Sequence, residues 1–357
     1  MCITHDLLSQ MRDQLFLNTT SVIQKMLIPD LPFPRIKFRS NWLVDPSTGS
    51  YTAALRSPTG IPADPALTAH GVDQAKQLGE RLCTAEPPIE RVYSSMYYRC
   101  LQTIEPFMRK NTHSLKVRGE TGLGEWYGSA YFEHPAPANL ETLGPMFPEM
   151  LDEHYKPFVV PTRMGESVDE LHDRVAKTMD ALIAECDRDG IKCVLLCSHA
   201  AVVIALGRVL TGNMPDNIEV EDFRAFTCGL SVYRRRQLQQ QFTGTLPGAG
   251  EQIAAHPERK RISDAQNADH ASKEGVPDAG WRGGRGVSGG WDCQLNSDCT
   301  HLELGEERGW RFSGDESFKD APPGQSILDA GAELGVVVEG RGKKAGTSDA
   351  VSSRGKL

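Results

Sequence analysis

The chain has 357 residues, a net charge of −8 and a hydrophobic fraction of 39%. The length allows one large domain or two smaller ones, and the low hydrophobic fraction indicates a globular part diluted by a polar tail. The negative charge argues against direct nucleic-acid binding by the whole chain. Nine scattered cysteines fit a reducing compartment, the nucleus or the cytoplasm. No apolar window is long enough for a membrane span, and residues 1–30 lack the pattern of a signal peptide.

Residues 1–34 are interpreted as an irregular N-terminal segment. Within it, residues 7–27 carry a loose apolar stripe that predicts a mediocre helix. The three prolines of residues 28–34 then interrupt any regular structure. Because proline cannot donate a backbone N–H, residues 28–34 cannot form a buried central strand.

Alternating helix and strand patterns follow up to residue 236, after a loop-like stretch over residues 41–65 that is rich in Pro, Gly and Ser. Thr68 is positioned to cap the first helix, and Ser167 with Glu170 has the spacing of a capping box before a long helix. Further helices are predicted over 98–109 and 200–210, and strands over 89–95, 115–118, 192–198 and 229–235. The alternation predicts an α/β fold with a mostly parallel sheet covered by helices on both faces, in a domain over residues 35–236.

The composition changes after residue 236. Residues 237–290 are rich in Gln, Gly, Ala and charge and are interpreted as a disordered linker. Residues 291–318 hold several aromatic side chains but are too short for a core of their own. We predict that they dock onto the domain or onto a partner, and that residues 319–357 form a disordered tail.

Three polar side chains stand where a phosphate pocket is expected in such a fold. Arg99 follows the strand end at residues 92–95, and His199 follows the apolar run at residues 195–198. The carboxyl ends of parallel strands share one rim, and a guanidinium fork matches two phosphate oxygens. Glu125 lies in a glycine-rich loop that could place a carboxylic acid over a leaving group.

Several motifs in the right order resemble the histidine phosphatase (phosphoglycerate mutase-like) superfamily over about residues 35–236. They are Leu67-Thr-Ala-His-Gly71, Tyr93-Ser-Ser95, Arg99-Cys-Leu-Gln-Thr103, Gly165-Glu-Ser167 and Cys197-Ser-His-Ala200. The segments 38–42, 60–64 and 306–310 further resemble the fungal proteins related to the small histidine-phosphatase-like subunit of the RNA polymerase III factor TFIIIC. The resemblance implies a three-layer sandwich and phosphomonoester hydrolysis without a cofactor.

The resemblance also assigns roles to residues of this chain. Arg35, Arg39 and Arg99 match the phosphate-binding arginines, His199 matches the second histidine of the pocket, and Glu125 matches the acid. The nucleophilic histidine of the family's Arg-His-Gly motif falls on Ile36, which has no lone pair to attack phosphorus. The glycine after it falls on Lys37, whose side chain would crowd the phosphate.

The family's buried first strand, which leads into that motif, is also expected to be missing. Two explanations stay open. Either residues 1–37 are not those of the working protein, which is then a phosphatase, or the chain is a catalytically inactive subunit of a TFIIIC-type assembly that contacts its partners through the C-terminal tail. As written, the chain is predicted to be inactive and to bind a phosphorylated substrate or phosphate. The spacing of Cys293, Cys299 and His301 does not predict a metal site.

Overall fold

The computed structural model describes residues 14–19, 42–45, 48–53, 56–111, 114–236, 280–314, 317 and 336–337. Its strands are Gln14–Thr19 (β1), Trp42–Asp45 (β2), Ser50–Ala53 (β3), Arg91–Ser94 (β4), Val117–Gly119 (β5), Cys193–Ser198 (β6), Leu230–Arg235 (β7), Trp291–Asp298 (β8), Gly309–Trp310 (β9) and Val336–Val337 (β10). Six of them form one sheet in the order β5-β4-β6-β1-β7-β8. β5, β4, β6 and β1 run parallel, whereas β7 and β8 are each antiparallel to their neighbours.

Helices cover both faces of this sheet. They are Ala69–Cys83 (α1), Tyr98–Lys110 (α2), Leu140–Leu143 (α3), Val168–Asp189 (α4) and Ala200–Thr211 (α5). Alternate residues of β6 belong to different cores: Val194 and Leu196 pack with α4 and α5, whereas Leu195 packs with α1 and α2. The protein is therefore a three-layer α/β sandwich with a mostly parallel sheet, as the sequence predicts.

Local sequence signals set the ends of two of these helices. The Thr68 hydroxyl accepts a hydrogen bond from the Gly71 amide at 3.0 Å and caps α1. α4 begins with the predicted capping box, in which Ser167 and Glu170 bond each other's backbone amides. Both caps satisfy amides that have no partner inside the helix.

The central strand corrects the expectation that the sheet lacks one. β1 lies between β6 and β7, parallel to the first and antiparallel to the second. The sequence pattern had predicted a helix over residues 7–27, which is wrong for Gln14–Thr19. A short run such as Leu15-Phe-Leu17 fits either structure when it is considered alone. Its backbone here satisfies the inner edges of two neighbouring strands, which a helix cannot do.

A second correction concerns residues 41–65, which the composition had suggested to be loop. β2 and β3 form an antiparallel hairpin in which Trp42 pairs with Ala53 and Asp45 with Ser50. The Gly49 amide donates to the Asp45 carbonyl and closes the turn. The turn residues of this stretch therefore join two strands, one of which carries Tyr51 towards the candidate site.

The sheet also extends beyond the predicted limit at residue 236. Trp291–Asp298, expected in a docking segment, is an edge strand of the sheet. Residues 280–290, expected in the linker, lie against the α4 and α5 side, where Trp281 and Val287 have no exposed surface. Phe312 is buried in the same core. Residues 280–314 thus contribute to the core of the domain.

Gly212 shows how closely this C-terminal segment packs. Gly212 ends α5 with φ +81°, and its carbonyl accepts a hydrogen bond from the Gly284 amide at 2.9 Å. A Cβ at residue 212 would lie 2.4 Å from the Gly286 nitrogen, closer than real Cβ atoms come to backbone. Glycine is therefore required both by the left-handed conformation and by the approach of the second backbone.

Several predicted regions fall outside the described residues. These are most of the N-terminal segment, residues 237–279 of the predicted linker, and most of the predicted tail. Within that tail Val336–Val337 is described, and it pairs antiparallel with Gly309–Trp310.

If residues 280–290 belong to the core, Trp281→Ala will lower the free energy of unfolding by about 3–5 kcal/mol, because it removes a large buried ring. Urea titration of the full chain measures this. Leu304, which is 63% exposed, provides the control, since Leu304→Ala should change stability by less than about 0.5 kcal/mol. Equal small losses for both variants would place Trp281 outside the core.

Candidate phosphate-binding site

Arg99 lies in the first turn of α2, where a buried carboxylate holds it. Asp64 accepts hydrogen bonds from the amides of Tyr98 and Arg99 at 2.7 and 3.3 Å. The same carboxylate accepts from Arg99 Nη1 at 3.2 Å, and the Ala63 carbonyl accepts from Nη1 at 2.9 Å. Because Tyr97, the N-cap residue, makes no side-chain cap, Asp64 satisfies the start of α2 from another part of the chain. One face of the guanidinium is thereby fixed.

His199 lies between the end of β6 and the start of α5 and has no exposed surface. Its Nε2 is 2.8 Å from the Ser95 hydroxyl, at the end of the neighbouring strand β4. The Tyr97 ring stands edge-on to the imidazole, with ring centroids 5.2 Å apart, and lies 4.6 Å from the Arg99 guanidinium carbon. The imidazole is therefore held in one orientation at the carboxyl-end rim of the sheet.

Glu125 lies in a loop whose preceding backbone carbonyls accept hydrogen bonds from two other parts of the chain. Arg174 donates to the carbonyls of Gly122 and Gly124, and its Nε is 2.8 Å from Glu166. The Ser198 hydroxyl donates to the Leu123 carbonyl at 2.7 Å. These bonds fix the backbone before Glu125, and they give Glu166, in the motif over residues 165–167, the role of holding Arg174.

The three side chains meet at one carboxylate oxygen. Glu125 Oε2 lies 2.8 Å from Arg99 Nη2 and 3.1 Å from His199 Nδ1. The Arg99 and His199 nitrogens are themselves 3.1 Å apart. Two cationic donors thus converge on a single anion in a site where only Glu125 keeps appreciable exposure, at 21% of its side chain.

The electrostatics follow from this arrangement. Burial raises the pKa of Glu125, but His199 and Arg99 outweigh burial and lower it to about 2. Burial lowers the pKa of His199, but Cys100 and Glu125 raise it to about 9. Since burial holds the pKa of the Cys100 thiol well above its usual range, Glu125 is the charge that acts at neutral pH. Both groups of the pair are ionised near neutrality.

An aromatic wall stands over the site. Tyr127 hydrogen-bonds Tyr97 through their hydroxyls at 3.1 Å and stacks on His134 with ring centroids 4.8 Å apart. Trp42 and Tyr51, from the β2–β3 hairpin, pack against Tyr127, with ring centroids 6.0 and 6.2 Å from the centroid of the Tyr127 ring. The hairpin and the loop after Glu125 therefore enclose one side of the pocket.

The residues that directly follow β1 in the sequence do not include a histidine. The register pairs Thr19 with Ser198, so β1 ends at the rim where β6 delivers His199. Thr20 and Ser21 follow Thr19 in the chain, and the sequence contains no histidine between His5 and His70. The strand that leads to the nucleophile in the family is present here, but the residues after it are hydroxyl-bearing.

Arg99, His199 and Glu125 are brought together, as the sequence predicted. Arg35 and Arg39 lie outside the described residues and stay predictions. Sequence reasoning missed the contact of Asp64 with Arg99. It identified Ser95 as the end of a strand, but it did not predict that Ser95 contacts His199. Asp64 lies three residues before the Leu67-Thr-Ala-His-Gly71 motif, which was the available signal. Because Asp64 lies 35 residues before Arg99 in the chain, the sequence alone did not reveal their contact.

Among the described residues, no group of three His, Cys, Asp or Glu side chains is arranged to hold a metal ion. Cys293 and Cys299 donate to separate backbone carbonyls, and His301 contacts the Cys228 carbonyl. No helix in the described part of the chain has the length and apolar composition to cross a bilayer.

Comparison with known proteins agrees with this geometry. A family model described as histidine phosphatase superfamily (branch 1) matches residues 50–245, more than half of the chain. The chain belongs to the histidine phosphatase superfamily. The transcription factor tau 55 kDa subunit of Saccharomyces cerevisiae is 33% identical over 215 residues, which cover 58% of this chain and 48% of that protein. This similarity confirms the resemblance to the TFIIIC subunit group.

Two phosphatases are also similar. The ecdysteroid-phosphate phosphatase of Drosophila melanogaster is 31% identical over 168 residues, covering 44% of this chain and 21% of that protein. The solved ecdysone phosphate phosphatase of Bombyx mori in complex with tungstate is 21% identical, with a TM-score of 0.44, covering 70% of this chain and 98% of that one. The chain thus spans about half of the yeast relative and about a fifth of the fly relative.

The charge pair predicts a stability maximum in mildly acidic solution. The depressed pKa of Glu125 contributes stability above its ordinary value of 4.5 that is lost as the pH falls towards 2. The raised pKa of His199 contributes stability below 6.5 that is lost as the pH rises through 9. The stability advantage of the native chain over Glu125→Gln should therefore be largest between pH 4.5 and 6.5.

Urea titrations that extend from this range down towards pH 2 and up to pH 9 measure that advantage. Glu80→Gln is the matched control, because Glu80 is 67% exposed and pairs only with Lys110 among the contacts described. Its difference from the native chain should stay small and nearly constant with pH. A Glu125→Gln difference that is equally flat would contradict the ionised pair.

Proposed function

We propose that this chain is a phosphate-pocket protein without phosphohistidine chemistry, which works as a nuclear subunit of a TFIIIC-type transcription assembly. The observation that carries the proposal is the register of β1. The strand ends beside Ser198, the residue before His199, yet it is followed in the sequence by Thr20 and Ser21 in place of a histidine. The pocket therefore keeps its cationic donors and lacks the family nucleophile.

The retained side chains suit phosphate binding. Arg99 is at the start of α2 and His199 at the start of α5, so both cations add to the positive ends of helix dipoles. A guanidinium and an imidazolium converging on one point match the equatorial oxygens of a phosphate. Arg35 and Arg39 are proposed as further phosphate ligands on the basis of the family pattern.

The protonation of the site argues against turnover. A general acid must carry a proton near the operating pH, but the pKa of Glu125 is lowered to about 2 by His199 and Arg99 after opposing burial. Cys100 offers no substitute nucleophile, because it is fully buried and its pKa is raised well above the usual range.

The similarity to the yeast transcription factor subunit supports the proposed partners. We place the contacts in the sequence after residue 236. Arg236 and Gly280 bound the stretch of sequence between the two described parts of the fold. β7 runs antiparallel to β1 and ends at the opposite edge from the His199 rim. A partner bound there would leave the phosphate pocket accessible. The net charge of −8 supports partner contacts over direct contacts with nucleic acid.

A phosphomonoesterase is the second candidate, and two observations favour it. Arg99, His199 and Glu125 lie together as hydrolysis requires, and the fly relative is named a phosphatase. In that case the first 37 residues differ from those of the working enzyme. That explanation was based on two apparent losses, the nucleophilic histidine and the first strand. The presence of β1 removes the second of them.

Turnover separates the two candidates. The chain is expected to show no hydrolysis of p-nitrophenyl phosphate above background, and Thr20→His with Ser21→Gly, which puts a histidine directly after β1, to restore none, because Glu125 holds no proton in its contact with Arg99 and His199. Steady-state assays near pH 6 and pH 8 measure this. Activity in the double variant would support the phosphatase, and phosphate retained covalently on His199 of the native chain would contradict the proposal.

Co-purification tests the partner. The tagged full chain, recovered from nuclear extract of its own organism, should bring RNA polymerase III transcription factor subunits identified by mass spectrometry. Replacing residues 237–279 by a Gly-Ser linker, or ending the chain after residue 317, should weaken recovery in at least one case. Leu304→Ala is the matched control and should behave as the native chain. Recovery of none of these subunits with the native chain would exclude the proposed assembly.

A further inference from the structure

The Arg99–His199 pocket already contains an anion supplied by the chain itself. Glu125 Oε2 receives both Arg99 Nη2 at 2.8 Å and His199 Nδ1 at 3.1 Å. Arg99 Nη1 is bound to Asp64 and the Ala63 carbonyl, and His199 Nε2 faces Ser95. A phosphate that binds Arg99 Nη2 and His199 Nδ1 must therefore displace Glu125.

The side chain of Glu125 is placed so that a bound anion can replace it at Arg99 and His199. Its backbone is fixed by the bonds of Arg174 to Gly122 and Gly124, so the loop stays in place. The side chain, in contrast, is 21% exposed, whereas Arg99 and His199 are 5% and 0% exposed. Rotation of this side chain towards solvent would break the bond that Oε1 accepts from the Trp126 amide at 3.1 Å, and it would uncover both donors without moving the loop.

We propose that Glu125 sets the ligand specificity of this pocket: it acts as an internal competitor that yields Arg99 and His199 to a phosphate monoester dianion and excludes monoanions. The proposal rests on the phosphate pocket of the proposed function. It assigns Glu125 a role in selection, whereas the family resemblance assigns it the role of acid.

Charge explains the selection. Arg99 and His199 carry two positive charges, and Asp64 and Glu125 balance them. When an external monoanion replaces the Glu125 carboxylate, the negative charge beside Arg99 and His199 stays the same. The exchange is therefore unfavourable, because the bound molecule loses translational and rotational entropy. A dianion brings one further charge and further acceptor oxygens to the same two donors, at short distance in a poorly solvated site. The same dianion occurs on phosphorylated side chains and as free phosphate.

Isothermal titration of the full chain near pH 7.5 tests the proposal, with orthophosphate as the dianion and dimethyl phosphate as the monoanion. The native chain should bind orthophosphate and show no binding of dimethyl phosphate. Glu125→Gln removes the competitor, so it should bind orthophosphate about tenfold more tightly and bind dimethyl phosphate measurably. Glu80→Gln removes an equal charge far from the pocket and should stay within about twofold of the native chain.

A Glu125→Gln chain that binds orthophosphate no more tightly than the native chain overturns the proposal. Binding of dimethyl phosphate by the native chain as tight as that of orthophosphate overturns it as well. Should Glu125→Gln fail to fold, Glu125→Asp replaces it: the shorter carboxylate cannot reach both donors, and affinity should rise by a smaller factor. O-phosphoserine as a third titrant, if bound more tightly than orthophosphate, assigns the dianion to a protein side chain.

These outcomes are independent of partner binding. Co-purification depends on the sequence after residue 236, and it can succeed when the titrations fail. No binding of orthophosphate by the native chain would reject the phosphate pocket itself. Binding that Glu125→Gln does not strengthen would reject the role of Glu125 alone, and failure to recover the assembly would reject the transcription assembly alone.

Discussion

The site depends on one buried contact, in which Arg99 and His199 share the carboxylate of Glu125. Each member would be costly without the others, because an unpaired charge in a poorly solvated site loses its hydration without compensation. The surrounding structure keeps this contact in place. Asp64 anchors the far side of Arg99, Ser95 orients His199, and Arg174 holds the loop before Glu125. The chemistry of the pocket follows from this balance of charge.

The place of β1 in the sheet is set by its backbone. β1 fills the position between β6 and β7, and its hydrogen bonds require only a backbone of extended conformation. Under the proposed function, the chain keeps this strand, the rim and the cationic donors without the residue that attacks phosphorus. Binding and catalysis are then separable properties of one fold.

The elements with strong local signals could be predicted from the sequence. Ser167 and Glu170 fixed the start of α4, and the continuous apolar run at 193–198 indicated a strand covered on both faces. β1 could not be predicted, since its conformation is decided by two strands distant in the chain. Within the site, Arg99, His199 and Glu125 followed from motifs. Asp64 escaped prediction, because a carboxylate that binds a helix 34 residues later leaves no periodic pattern.

The protonation of His199 measures the central contact most directly. Nitrogen-15 NMR of the imidazole in the full chain reports whether each ring nitrogen carries a proton. Near pH 7.5 we expect both nitrogens of His199 to be protonated, because burial lowers its pKa but Cys100 and Glu125 raise it to about 9. A neutral His199 at that pH, titrating at or below 6.5, would contradict the shared carboxylate and with it the account of the pocket.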